Sequence, residues 1–103
     1  MAAFNLGSPE DYRVPDGGLL DPDASGTWLS SAALVVEIVS PDDETWEKLS
    51  FYAVHDVKEL LIVDPGAHQV HWLGLTGDRY EPIERSTLID LGPDELARQI
   101  DWP

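Results

Sequence analysis

"ALVVEIVS", residues 33–40, decides the fold. Leu34, Val35, Val36, Ile38 and Val39 form a short, continuous, β-branched run. Such a run predicts a strand with both faces covered, as in a parallel or mixed sheet. Glu37 interrupts it. A buried carboxylate is costly unless it is paired, protonated or bound to a metal. Glu37 is therefore either half of a structural pair or part of a reactive site.

The flanking sequence predicts the elements around this strand. "SPDDETWEKLSFYAVHD" (40–56) reads as a helix: Ser40 suits the N-cap, Pro41 the first turn, and Asp42, Asp43 and Glu44 the positive end of the dipole. Trp46, Leu49 and Ala53 share one face at helical spacing, and Lys48 lies beside Phe51 and Tyr52. Upstream, "YRVPDGGLL" (12–20) has an extended look, with Val14, Leu19 and Leu20 as anchors, and 21–28 is a loop. Residues 1–12 show no periodicity. Downstream, 58–84 reads as a meander: "ELLIVD" a buried strand, "PGAH" a turn, "QVHWLGL" an alternating strand, "TGD" a turn, and "RYEPIE" an edge strand marked by Pro82. "STLIDL" (86–91) reads as extended and "GPDELARQI" (92–100) as a short helix with Pro93 at its start. This order predicts one α/β or α+β sheet with a helical crossover between parallel strands.

The chain has 103 residues, 43% of them hydrophobic, which suits one small domain with one core. It has no cysteine, so disulfides, thiolate metal sites and cysteine nucleophiles are excluded. No apolar run approaches the roughly 20 residues of a membrane span, and the N-terminus lacks the features of a signal peptide. A cytoplasmic address without membrane association is the default expectation. The net charge of −14, from 20 acidic residues against 6 Lys plus Arg, argues against a broad phosphate-binding surface. It serves solubility, and it does not forbid a nucleic-acid enzyme whose carboxylates hold a cation.

Three ionisable residues stand out by position. Asp16 follows Pro15 in the first extended segment, Glu37 is central in the strongest strand, and Lys48 is on the next helix. If the two strands are neighbours, Asp16 and Glu37 place carboxylates side by side. Such a pair cannot ionise cheaply without a cation, and Mg2+ or Mn2+ suits an oxygen-only site. A nearby Lys stabilises charge developing on a phosphate or orients attacking water. The same residues also have quieter readings as a turn aspartate, an edge glutamate and a surface lysine.

Taken together, "VPDGGLL", "AALVVEIVSP", "EKLSFYA" and "VKELLIVDP" resemble the Uma-two family of restriction endonucleases, within the PD-(D/E)XK nuclease superfamily. The shared pieces are a PD-bearing strand, a V-V-E-V-x-S-P-like run, a helix with K-L-x-x-Y and a strand closing in V-D-P. The resemblance implies a restriction-endonuclease-like mixed β-sheet, with a crossover helix after the Glu-bearing strand and a short C-terminal helix, spanning residues 1–103 as one domain. It implies Asp16 and Glu37 as metal ligands for Mg2+ or Mn2+, with Asp16, Glu37 and Lys48 as catalytic residues. The superfamily's lysine often stands two residues after the acid. Val39 occupies that place here, so the resemblance implies that Lys48 supplies the charge from the helix. The implied activity is phosphodiester hydrolysis, with DNA as the substrate. Family members carry a longer region before the PD strand, so a short N-terminus and a sheet edge that favours a homodimer are also expected.

Two other function classes compete. One is a catalytically inactive relic acting as an interaction or structural protein, in which Glu37 is protonated or paired with Lys48. The other is an acidic imitation of nucleic acid directed at a basic partner. Elsewhere, His55, His68 and His71 are not spaced as a convincing metal set, and Asp64 reads as a turn cap. Trp46 and Trp72 read as core; Trp28 and Trp102 lie near a loop or terminus.

Overall fold

The computed structural model describes residues 4–20, 28–29, 31–39 and 45–102, with the backbone alone at Trp28, Thr45 and Trp46. Its strands are β1 (Asn5–Ser8), β2 (Asp11–Arg13), β3 (Gly17–Leu19), β4 (Trp28–Leu29), β5 (Leu34–Ile38), β6 (Glu59–Asp64), β7 (Gln69–Thr76) and β8 (Arg79–Pro82). A 3-10 turn, Thr45–Lys48, leads into helix α1 (Leu49–Val54), and α2 (Pro93–Gln99) lies near the C-terminus. The main sheet is mixed, in the order β3-β5-β6-β7-β8; β2-β1-β4 form a smaller one. Within the main sheet β5 and β6 are parallel, and the other pairs are antiparallel. A parallel pair needs a crossover, and the segment carrying α1 supplies it. No helix among the described residues is long and apolar enough to cross a membrane.

The two-residue period of a strand explains the unbroken apolar run of β5. Val35 faces a core with Leu6, Tyr52, Leu60, Ile62 and Leu73, to which Leu49 of α1 adds a partly buried side chain. Leu34 and Val36 face the opposite side, with Leu61 and Trp72, covered by Ile83, Leu91 and Leu96. Both faces are thus buried, each by a different helix. β7 alternates as its sequence predicts, with Trp72 in one core and Leu73 in the other. Asp64 caps the β6–β7 turn through a hydrogen bond from the Ala67 N–H at 3.1 Å.

Three local readings change. Residues 1–12, without periodicity, contain the β1–β2 hairpin, whose strands are too short to show a period. Gly7 sits there at φ +118°, where a Cβ would meet the Asp11 carbonyl oxygen at 2.3 Å. Residues 86–91, expected to be extended, form no strand, with bends at 87–90. Ser86 Oγ accepts from the N–H groups of Leu88 and Ile89, both at 3.0 Å, so a side chain replaces the ladder. Of the helix expected over 40–56, the described part from Thr45 is a 3-10 turn followed by the short α1; residues 40–44, its expected start, lie outside the described residues. Its fully buried residue is Tyr52, with Leu49 beside it and Ala53 only half-buried, and the Trp46 side chain lies outside the described set.

Glu59, at the start of β6, is a second buried acid on the Trp72 face. It accepts from Trp72 Nε1 (2.8 Å), Ser86 Oγ (2.6 Å), Thr87 N (3.0 Å) and Thr87 Oγ1 (2.7 Å). These bonds tie the 86–91 segment to the sheet. Burial acts to raise its pKa, but the hydrogen bonds from Ser86, Thr87 and Trp72 outweigh it and hold the carboxyl below its ordinary value.

Two outcomes follow for stability. A folded pKa below the unfolded one contributes stability above the unfolded value, lost as pH falls through the folded value. Urea titrations of Glu59→Gln will therefore show a loss of about 1–3 kcal/mol at pH 7, shrinking toward pH 3. At Gly18, a Cβ would stand 2.3 Å from the Leu34 carbonyl oxygen, so Gly18→Ala will cost about 1–3 kcal/mol by forcing β3 from β5.

Candidate active site

Alternation places Glu37 on the same side of β5 as Val35, facing α1. Its side chain is 5% exposed. Strand β3 runs antiparallel to β5 with Gly17 opposite Val36, so Asp16 stands at the level of Glu37. Pro15 before it is fully buried and Asp16 itself is exposed, which sets the carboxyl at the rim of the core. Asp16 Oδ2 accepts a hydrogen bond from the Ile38 N–H at 2.7 Å. The close approach permitted by Gly18 lets β3 deliver it there.

The helical segment brings the other partners. Lys48, at the end of the 3-10 turn, holds its ammonium 3.7 Å from Glu37 Oε1. The Tyr52 hydroxyl donates to that same oxygen. The three residues picked out in the sequence, Asp16, Glu37 and Lys48, therefore meet at one place, from three separate elements. Sequence reasoning missed the fourth, Tyr52. Its signal was present, because Tyr52 stands four residues after Lys48, but that spacing reads equally as packing along the lysine stem.

Burial raises the Glu37 pKa; the Tyr52 hydrogen bond and the Lys48 charge pull it down, and the neighbouring Asp16 raises it again by charge and by hydrogen bonding. The balance lies above the ordinary carboxylate range. Tyr52 is raised as well, first by its own burial and then by Glu37. Two carboxyls beside each other, one of them disfavouring its charge, form the arrangement that a cation relieves.

The donor set suits a hard cation. Its ligands would be carboxylate oxygens, which select Mg2+, Mn2+ or Ca2+ over softer metals. The protein donors named engage one oxygen of each acid, Oδ2 of Asp16 and Oε1 of Glu37. The exposure of Asp16 gives water a route to complete a coordination shell. Among the described residues, no group of three or more His, Asp or Glu side chains stands placed around a metal. His55 caps the end of α1 and packs on Phe51 at 4.3 Å, and His68 stacks on Trp102 at 5.2 Å.

A mixed sheet with a helical crossover after the Glu-bearing strand, and a short C-terminal helix, defines a restriction-endonuclease-like α/β fold. The sequence model of the Uma-two family, described as "Putative restriction endonuclease", matches residues 2–99. The chain belongs to this family. A comparison with curated proteins finds no match.

The raised Glu37 pKa has a direct consequence. For an acid whose folded pKa lies above its unfolded one, a stability penalty builds as pH rises from the ordinary carboxylate range through the folded value. Without divalent metal, Glu37→Gln will be more stable than the parent by about 1 kcal/mol at pH 8, and the difference will vanish near pH 4. Urea unfolding at the two pH values measures it.

Proposed function

We propose that residues 1–103 act as one metal-dependent nuclease domain that hydrolyses phosphodiester bonds, with DNA as its substrate. Asp16 and Glu37 each offer a carboxylate oxygen to Mg2+ or Mn2+. Such an ion, when bound, polarises a phosphoryl oxygen and lowers the pKa of its bound water. Lys48 stabilises negative charge developing on the phosphate, from a position already set by Glu37. The observation that carries this reading is the convergence of Asp16, Glu37 and Lys48 from the residue before β3, from β5 and from the turn before α1. Family membership supports the nuclease class.

The charge bears on the substrate complex. Lys58 is paired with Asp56 at 2.8 Å, and Arg85 with Asp90 and Glu95, so these cations are partly neutralised within the fold. Affinity for the nucleic-acid backbone is accordingly weak. A homodimer belongs to the same reading: β3 ends the main sheet, and Val14, Leu20 and Ile38 nearby are 53%, 43% and 49% exposed.

The inactive relic remains a specific rival because Glu37 is already engaged by Tyr52 and Lys48. Calorimetric titration with Mn2+ separates the two. The nuclease reading expects saturable binding that disappears in Glu37→Ala and weakens in Asp16→Asn, with both variants still folded by circular dichroism. It also expects Mn2+-dependent nicking of supercoiled DNA, reduced about 100-fold or more in Lys48→Ala. A parent that binds no Mn2+ and nicks nothing leaves the relic as the account of this chain.

A further inference from the structure

We infer that Tyr52 is a positioning residue that decides which oxygen of Glu37 is offered to a cation; this rests on the metal-site reading above. Tyr52 is fully buried, packed with Leu6, Val35 and Leu60 and edge-on to Phe51 at 5.9 Å. A phenylalanine would fill the same space without bringing a hydroxyl into the core. A buried tyrosine hydroxyl needs a partner, and this one has Glu37 Oε1. Lys48 approaches that same oxygen at 3.7 Å. Lys48 and Tyr52 are four residues apart, so one turn of the chain directs an ammonium and a hydroxyl to a single atom.

The consequence is a division of labour within one carboxylate. Oε1 is held by Tyr52 and Lys48, which leaves Oε2 as the oxygen a cation would take. Held this way, Glu37 is a one-oxygen ligand. Small cations that keep an octahedral water shell suit that mode, whereas Ca2+ readily accepts both oxygens of a carboxylate. Tyr52 thus acts through Glu37 in favour of Mg2+ or Mn2+ over Ca2+. The rigid, packed ring makes the restriction durable, because the hydroxyl cannot leave without moving the core.

The test compares Mn2+ and Ca2+ affinities by calorimetry in the parent, Tyr52→Phe and Leu73→Val. Leu73 belongs to the same core but lies on β7, away from the carboxyls, so its variant reports general loosening. Tyr52→Phe is expected to bind Mn2+ 10- to 100-fold more weakly while Ca2+ affinity falls far less, shifting the Mn2+/Ca2+ ratio at least fivefold. Leu73→Val is expected to leave that ratio unchanged. An unchanged ratio in Tyr52→Phe, or an equal shift in Leu73→Val, overturns the positioning role while leaving the metal site standing. A parent that binds neither ion overturns the metal-site reading itself, and this inference with it.

Discussion

Glu37 is buried between a sheet and a helix, and much of the structure around it answers to that fact. Strand β5 is interior, with β3 on one side and β6 on the other, and its apolar side chains are buried on both faces. The two-residue period then commits Glu37 to the α1 side. A carboxyl in that position needs donors, and they arrive from the one element that crosses over it: Lys48 and Tyr52, one turn apart. It also acquires a neighbour that makes matters worse, Asp16, because the β3–β5 register sets the two acids at the same level. An arrangement selected for stability alone would gain from a second base at this point. A second acid is what a cation site requires.

The same sheet contains its own control. Glu59 is also a buried acid, on the next strand and facing the other core. Four donors surround it, and its pKa falls below the ordinary range. Glu37 has fewer donors and a carboxyl beside it, and its pKa rises. Burial pushes both carboxyls up; at Glu59 the hydrogen bonds from Ser86, Thr87 and Trp72 reverse it, whereas at Glu37 the Tyr52 hydrogen bond and the Lys48 charge do not, and Asp16 adds to it. Glu59 is a structural tie between β6 and the 86–91 segment. Glu37 is a perturbed carboxyl, only partly compensated by Tyr52 and Lys48.

The short elements around the site explain why so much chemistry fits in so small a fold. β3 has three residues and α1 six, yet α1 brings Tyr52 to Glu37 and the residue just before β3, Asp16, stands at its border. Gly18 lets β3 close on Leu34, and the buried Pro15 anchors the segment just before Asp16. The crossover that joins β5 to β6 serves both the topology and the site, since the turn it contains carries Lys48.

Much of this was legible in the residues themselves. The β-branched run from Leu34 to Val39, the alternation of "QVHWLGL" and the Pro-started C-terminal helix determined β5, β7 and α2, because periodicity is a local property of the chain. The order of Asp16, Glu37 and Lys48, with the resemblance they support, named the residues to watch. What the residues could not decide was contact. The hairpin of β1 and β2 escaped notice because its strands are too short for a period to register. The bends at 87–90 escaped because Ser86 and Thr87 bond to Glu59, 27 and 28 residues away in the chain. Tyr52 looked like packing because its partner is 15 residues distant. Hydrogen bonds between remote residues depend on register and burial together, and only the folded sheet, with its helix laid across it, sets both.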